Sequence, residues 1–134
     1  MATDRLVERL FDSSLKTLEL FTVYIGDRLG LYKALAAGGS STASELAKRV
    51  KVNERYLREW LEQQAVAAIL TVDDPALPED QRVYSLPEEH AEALVNPDSP
   101  YSIAPLARMA ASFGTVLPQL LKSFGDGGGV GWAA

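Results

Sequence analysis

"STASELAKRVKVNERYLREWLEQQ", from Ser41 to Gln64, decides how the rest of the chain is read. Thr42 and Glu45 stand three apart, the spacing of a capping box, in which each side chain satisfies the other residue's free backbone N–H. They open a short helix whose apolar positions are Leu46, Ala47 and Val50. Asn53 is a capping residue by type, because its side-chain oxygen accepts from an unpaired N–H of the first turn. The helix it opens carries Leu57, Trp60, Leu61, Ala65 and Ala68 as one apolar stripe. Two short helices joined by a tight turn form a helix-turn-helix. Downstream, "ILTVDD" and "QRVYSL" have the composition of strands, separated by the turn-rich "PALPEDQ". Helix, turn, helix and hairpin make a winged helix.

Upstream, residues 3–37 are helical in pattern, with Leu6, Leu10, Phe11, Leu15, Leu18, Phe21 and Ile25 recurring at spacings of three and four. Val7, Leu20, Val23 and Tyr24 fall on other faces, so this helix needs more than one surface to bury against. Gly26 and Gly30 allow a break before "LYKALAA", and Gly38-Gly39 ends that second helix. On the other side, Pro87 to Val95 form a short helix. "NPDSP" follows it, with Ser99 as a cap and Pro100 at a first helical position. Residues 101–124 are helical but punctuated: Pro105 and Pro118 demand a kink or restart, and Gly114 is a weak point. "GDGGGVGWAA" reads as a flexible tail.

The expected fold is therefore mainly α with a small β hairpin. A winged helix-turn-helix is flanked by long N- and C-terminal helices. The expected division is residues 1–40 as N-terminal dimerisation helices, 41–95 as the winged-helix core, 96–124 as C-terminal helices and 125–134 as a glycine-rich tail or linker.

Charge bears on the use of that shape. The chain of 134 residues carries a net charge of −5, so it has no general attraction to phosphate backbones. In the second helix of the motif, Glu54 and Arg58, Arg55 and Glu59, and Arg58 and Glu62 lie four apart and can pair along the surface. They neutralise the face that would enter a major groove. The hairpin sets Asp73, Asp74, Glu79 and Asp80 against Arg82 alone, whereas a DNA-contacting wing needs cations. Lys48, Arg49 and Lys51 are the only concentrated positive charge, and DNA binding is not expected. The absence of cysteine excludes thiol catalysis, disulfides and cysteine-type zinc sites, and suits a cytoplasmic protein. No apolar run is long enough to span a bilayer, and "MATDRLVERL" lacks the apolar core of a signal peptide.

Few residues invite chemistry. His90, the single histidine, sits beside Glu88 and Glu89 with no converging partner in its own turn, and reads as a surface residue. Ser13-Ser14 and Ser40-Ser41 suit surface or capping positions. Trp60 reads as core, while Trp132, in a glycine tail, has nothing local to pack on. No catalytic, cofactor-binding or metal-ligating residue is assigned. In "YSIAPLARMAASF", Tyr101, Met109 and Phe113 are candidates for an apolar ligand wall, with Phe21 and Tyr24 of the first helix as the second wall. Plain helix core is the competing reading of the same residues. Such a pocket would be half a site.

The order Gly30-Leu31-Tyr32 with Leu35, then Ser44-Glu45-Leu46-Ala47, then Tyr56-Leu57-Arg58-Glu59-Trp60-Leu61, then Tyr84-Ser85-Leu86 resembles a known family. It is similar to the N-terminal region of class I S-adenosylmethionine-dependent methyltransferases, in particular bacterial small-molecule O-methyltransferases with a winged-helix domain ahead of the catalytic one. The resemblance covers roughly residues 10–130 and implies a dimerisation module and substrate lid. Its long helices would pair with a second copy in a homodimer. It implies S-adenosylmethionine as cofactor and a small-molecule substrate for the full-length protein, with methyl transfer on a Rossmann-like domain that these residues do not include. Gly127, Gly129 and Gly131 formally match G-x-G-x-G, but they follow a helix pattern, whereas a dinucleotide-type loop follows a buried strand and opens a helix. The expected function is thus the dimerisation and substrate-lid domain of a methyltransferase, without catalysis of its own. The alternatives are a stand-alone winged-helix regulator that binds DNA or a small ligand, and a pure dimerisation adaptor.

Overall fold

A computed structural model of the chain describes residues 1–131. Trp132 and the two alanines after it lie outside the described residues, and with them the expectation for that tryptophan. The element order is α1 (Ala2–Arg28), α2 (Leu31–Gly38), α3 (Ala43–Val50), α4 (Glu54–Val66), β1 (Thr71–Val72), β2 (Tyr84–Ser85), α5 (Glu88–Leu94) and α6 (Ala104–Asp126). This is the mainly helical winged-helix architecture that the pattern of Ser41–Gln64 predicts. The chain divides into two units, Thr22–Ala104 and a second made of Met1–Phe21 with the chain from Pro105.

The Thr22–Ala104 unit is the winged helix. Both expected caps form. Thr42 Oγ1 accepts from the Glu45 N–H at 3.2 Å while Glu45 Oε2 accepts from the Thr42 N–H at 3.0 Å, and Asn53 Oδ1 accepts from the Tyr56 N–H at 3.1 Å. The turn between α3 and α4 is made by Lys51 in the left-handed region (φ 60°), whose N–H returns to the Ala47 carbonyl. α3 packs on α4, and α2 packs on α3 and α5. Leu31, Tyr32, Leu46, Leu61, Leu70 and Tyr84 are almost wholly buried and form the centre of the core.

The wing is shorter than its sequence suggests. β1 and β2 pair antiparallel over two residues each, Thr71 with Ser85 and Val72 with Tyr84. Ser41 supplies a third, single-residue bridge: its N–H reaches the Tyr84 carbonyl at 3.0 Å and its carbonyl accepts from the Tyr84 N–H at 2.9 Å. The entry to α3 is thereby fastened to the hairpin.

The break before α2 falls at Gly30 (φ 71°), and Gly26 stays inside α1. Gly26 is a place of close approach: a Cβ there would lie 2.5 Å from Trp60 Cζ2 and 2.5 Å from Tyr32 Cε2. Ser99 caps a turn, accepting from the Tyr101 N–H at 3.1 Å, and Pro100 does not start a helix. α6 begins at Ala104, so Pro105 sits in the first turn, where its missing N–H costs little. Pro118 lies inside α6 without ending it. The carbonyl that its ring would crowd belongs to Gly114, the residue four earlier, which has the backbone freedom to adjust.

In the second unit the apolar rows of the two long helices lie at the surface. On α1, Leu6, Val7, Leu10, Phe11, Leu15 and Leu18 are each about half exposed or more. On α6 the same holds for Leu106, Met109, Phe113, Leu117, Leu121 and Phe124. No helix among the described residues is long and apolar enough to cross a membrane.

Candidate functional site

The surface a winged helix would offer to DNA is occupied by internal ion pairs. Arg58 reaches Glu54 at 3.6 Å within α4 and Glu79 of the wing loop at 2.9 Å. Arg55 approaches Glu59 at 3.8 Å. The expected pairing of Glu62 with Arg58 is replaced by one with Arg82 at 3.3 Å, because Arg82 comes over from the wing while Arg58 turns toward Glu79. Arg49 is also engaged, donating to the Ala34 carbonyl and, at 2.8 Å, to the buried Ser41 hydroxyl. The positive cluster of the α3–α4 turn is thus reduced to Lys48 and Lys51. In the wing, the Val83 N–H and then the Asp74 N–H hold the Asp73 carboxyl below the usual carboxylate range, so its negative charge is firmly kept.

Beneath these pairs lie two buried polar atoms with no hydrogen-bond partner, Arg58 Nε and the Tyr84 hydroxyl. Burial pushes the Tyr84 phenol up, and the Glu62 carboxylate adds to this, while Arg82 and Arg58 oppose it. Arg82 is near enough to act on the hydroxyl but forms no well-aligned bond to it, so little offsets its lost hydration. Tyr84→Phe is therefore expected to leave the urea midpoint unchanged or raise stability by up to about 1 kcal/mol. A loss of more than about 1 kcal/mol would show that the hydroxyl has a partner in solution.

The five candidate pocket residues divide between the two units, Tyr24 and Tyr101 in one and Phe21, Met109 and Phe113 in the other. Tyr101 is 73% exposed, Phe113 60% and Met109 50%, while Phe21 and Tyr24 are half-buried on α1. Three surface cavities of the Thr22–Ala104 unit are lined by other residues. One, of about 150 Å3, lies among Ile25, Leu29, Leu31, Val52, Tyr56 and Trp60. A second, of about 330 Å3, lies beside the wing at Val66, Val72, Pro75 and Arg82. A third, of about 310 Å3, surrounds His90.

His90 is not the plain surface residue its neighbours suggest. It is half-buried, and its Nδ1 lies 2.8 Å from the Ile69 carbonyl oxygen. That partner is 21 positions away, beyond any local sequence signal. Trp60 is core as expected, 8% exposed, with its indole N–H on the Thr22 carbonyl at 3.0 Å. Ser13 and Ser14 bond backbone carbonyls of their own helix, and Ser40 pairs with Ser85. Among the described residues no group of acids and histidine has the arrangement of a metal site. The glycine stretch caps α6: the Gly127 N–H (φ 70°) returns to Ser123, and the Gly128 N–H reaches Asp126 Oδ1. A helix C-terminus of this kind does not fit a cofactor's ribose and sulfonium groups, so no step is assigned to S-adenosylmethionine in these residues.

Residues 17–96 match the Rv2258c-like winged HTH domain. The chain belongs to that family. The match to the Rv2258c-like domain covers α2, the helix-turn-helix, the wing and α5, while most of α1 and all of α6 lie outside it. No curated protein sequence matches the chain. Among solved structures it is similar to the mitomycin 7-O-methyltransferase MmcR (25% identity, TM-score 0.66, 92% of this chain and 34% of that one). It is similar also to the N,N-8-amino-8-demethyl-D-riboflavin dimethyltransferase RosA from Streptomyces davawensis (26%, 0.53, 69% and 26%). PigF, solved with SAH, shares the fold at 19% identity (0.64, 87% and 32%). The Rv2258c-like chain thus spans about a third or less of the length of these structures.

Proposed function

We propose that this chain is the N-terminal dimerisation and substrate-lid domain of an S-adenosylmethionine-dependent methyltransferase that acts on a small molecule in the cytoplasm. The observation that carries the proposal is the pair of exposed apolar rows on α1 and α6, which but for Leu18 lie outside the segment that matches the family. A DNA-binding winged helix needs cations on α4 and the wing, whereas here Arg58 and Arg82 are engaged by Glu54, Glu79 and Glu62. The likeness to two methyltransferases at 25% and 26% identity supports the same reading. The cofactor and the transferred methyl group belong to a following Rossmann-like domain. The role of this part is to bring two subunits together and to exclude water from the acceptor. Tyr101, Met109 and Phe113, with Phe21 and Tyr24, are the residues proposed to meet the acceptor.

The test of the parentage is the intact mass of the protein in its own source. A mass well above 14.5 kDa, with a strand, glycine-rich turn and helix encoded beyond Ala134, is the expected result. A stable species of 14.5 kDa alone would overturn it. The dimer is tested separately. Stable interfaces bury about 1,600 Å2, and sedimentation at roughly 10 µM is expected to give a dimer. Leu18→Glu places a charge in the α1 row and is expected to weaken that dimer about 30-fold or more, the size of a central interface residue. A wild-type monomer at this concentration would remove the dimerisation role.

A further inference from the structure

We infer that the cavity around His90 is a binding site for a small arylalkylammonium ion, an apolar ring carrying one protonated amine. The cavity, about 310 Å3, lies in the Thr22–Ala104 unit. That volume is at the lower end of small-ligand pockets, roughly 300–1,000 Å3, which suits a one-ring molecule. Its apolar lining comes from Val23 of α1, Ile69 and, on α5, Ala93 and Leu94. None of the five residues proposed to meet the methyl acceptor lines it, so this site stands apart from that reading.

The polar groups select the ligand's charge. The Ile69 carbonyl can only accept, so His90 Nδ1 carries the hydrogen of their 2.8 Å bond. In the neutral ring the lone pair is then on Nε2, which has no protein partner among the described residues. The carbonyl is held in place by the end of α4. Ala68 takes the left-handed conformation (φ 58°), and the Ile69 and Leu70 N–H groups both close on the Gln64 carbonyl. His90 is thus fixed from outside its own helix. Beside it, Glu89 lines the same cavity, exposed and in no ion pair among the described residues. No lysine or arginine lines the cavity. Its polar inventory is therefore an acceptor nitrogen and a carboxylate on an apolar wall. An ammonium supplies donors to both, and its ring covers the wall. An anion of the same shape meets only acceptors.

The experiment uses the single histidine as its own reporter. The His90 Cε1–H signal is followed by NMR at constant pH and ionic strength while 2-phenylethylamine is added, with phenylacetate as the anionic match. A saturable shift with the amine and none with phenylacetate is expected. Glu89→Gln weakens the amine about fivefold, the upper range for an exposed ion pair, while Glu88→Gln, on the same helix but off the cavity, leaves it unchanged. Ala93→Trp fills the cavity and abolishes the shift, and Glu89→Gln keeps the test valid should that variant fail to fold. A shift that is still linear at roughly 20 mM amine, or an equal response to phenylacetate, overturns the site.

Discussion

Gln64→Ala is expected to lower the free energy of unfolding by about 3–4 kcal/mol, read from urea denaturation. Gln64 is a long polar side chain with no exposure at all, placed in the last turn of α4. It is tolerated there because its amide is used in both directions. Oε1 accepts from the Tyr32 hydroxyl, and Nε2 donates to Thr22 Oγ1 at 2.9 Å and to Gln63 Oε1 at 2.6 Å. One amide thus ties α4 to α1 and α2. Truncation removes the packing of the side chain and takes this partner from the buried Tyr32 hydroxyl and the half-buried Thr22 hydroxyl. Gln64→Leu restores most of the volume but not the bonds, and is expected to cost about 2 kcal/mol. Tyr32→Phe and Gln64→Leu are expected to be non-additive, because each removes one end of the same bond. A Gln64→Ala cost below about 1 kcal/mol would mean that water takes over the amide's bonds.

Trp60→Ala is expected to cost about 4 kcal/mol, the largest effect of a single substitution in the α4 stripe. The indole is 8% exposed, bonds the Thr22 carbonyl, and stacks on Tyr32 with ring centres 5.2 Å apart and planes tilted by 58°. Trp60→Phe keeps a ring but loses the bond, and should cost about 1–2 kcal/mol. The diagnostic comparison is with Gly26→Ala. In an open helix that change stabilises by up to about 1 kcal/mol. Here the new methyl would sit 2.5 Å from both aromatic rings, and a net loss of about 1–3 kcal/mol is expected instead. In the Trp60→Ala background the clash with the indole is gone and Gly26→Ala should cost less, so the two changes are not additive. Equal costs in both backgrounds would mean that α1 moves aside as a rigid body.

The helix-turn-helix was legible because its signals are local. Thr42 with Glu45 and Asn53 with Tyr56 are bonds between residues three apart, and such spacing is visible on paper. The same holds for the α4 stripe and the turn-rich wing. What escaped notice depends on distant partners. Gln64 looks like one more surface glutamine until α1 and α2 are brought against it, from 42 and 32 positions away. His90 looks exposed until the Ile69 carbonyl arrives. Gly26 looks like a possible break, because only the folded chain shows the rings that forbid a side chain there. Pro118 demands a kink or restart by type; α6 does not restart there, and the carbonyl four residues back, which the ring would crowd, is glycine's. The wing was overread for a different reason: strand-like composition extends well beyond the two residues of each strand that pair.

The two-way bond between Ser41 and Tyr84 also decides where this domain can be altered. It closes the chain from the entry of α3 to the far strand of the wing into a bracket held at both ends. The loop between Asp73 and Val83 lies inside that bracket, tied to α4 by two ion pairs at its surface, Arg58 with Glu79 and Arg82 with Glu62. Lengthening this loop adds little closure entropy, because that cost grows only with the logarithm of length. It is the natural place for relatives to carry extra residues, and for a tag or a protease site to be inserted while the core stays shut.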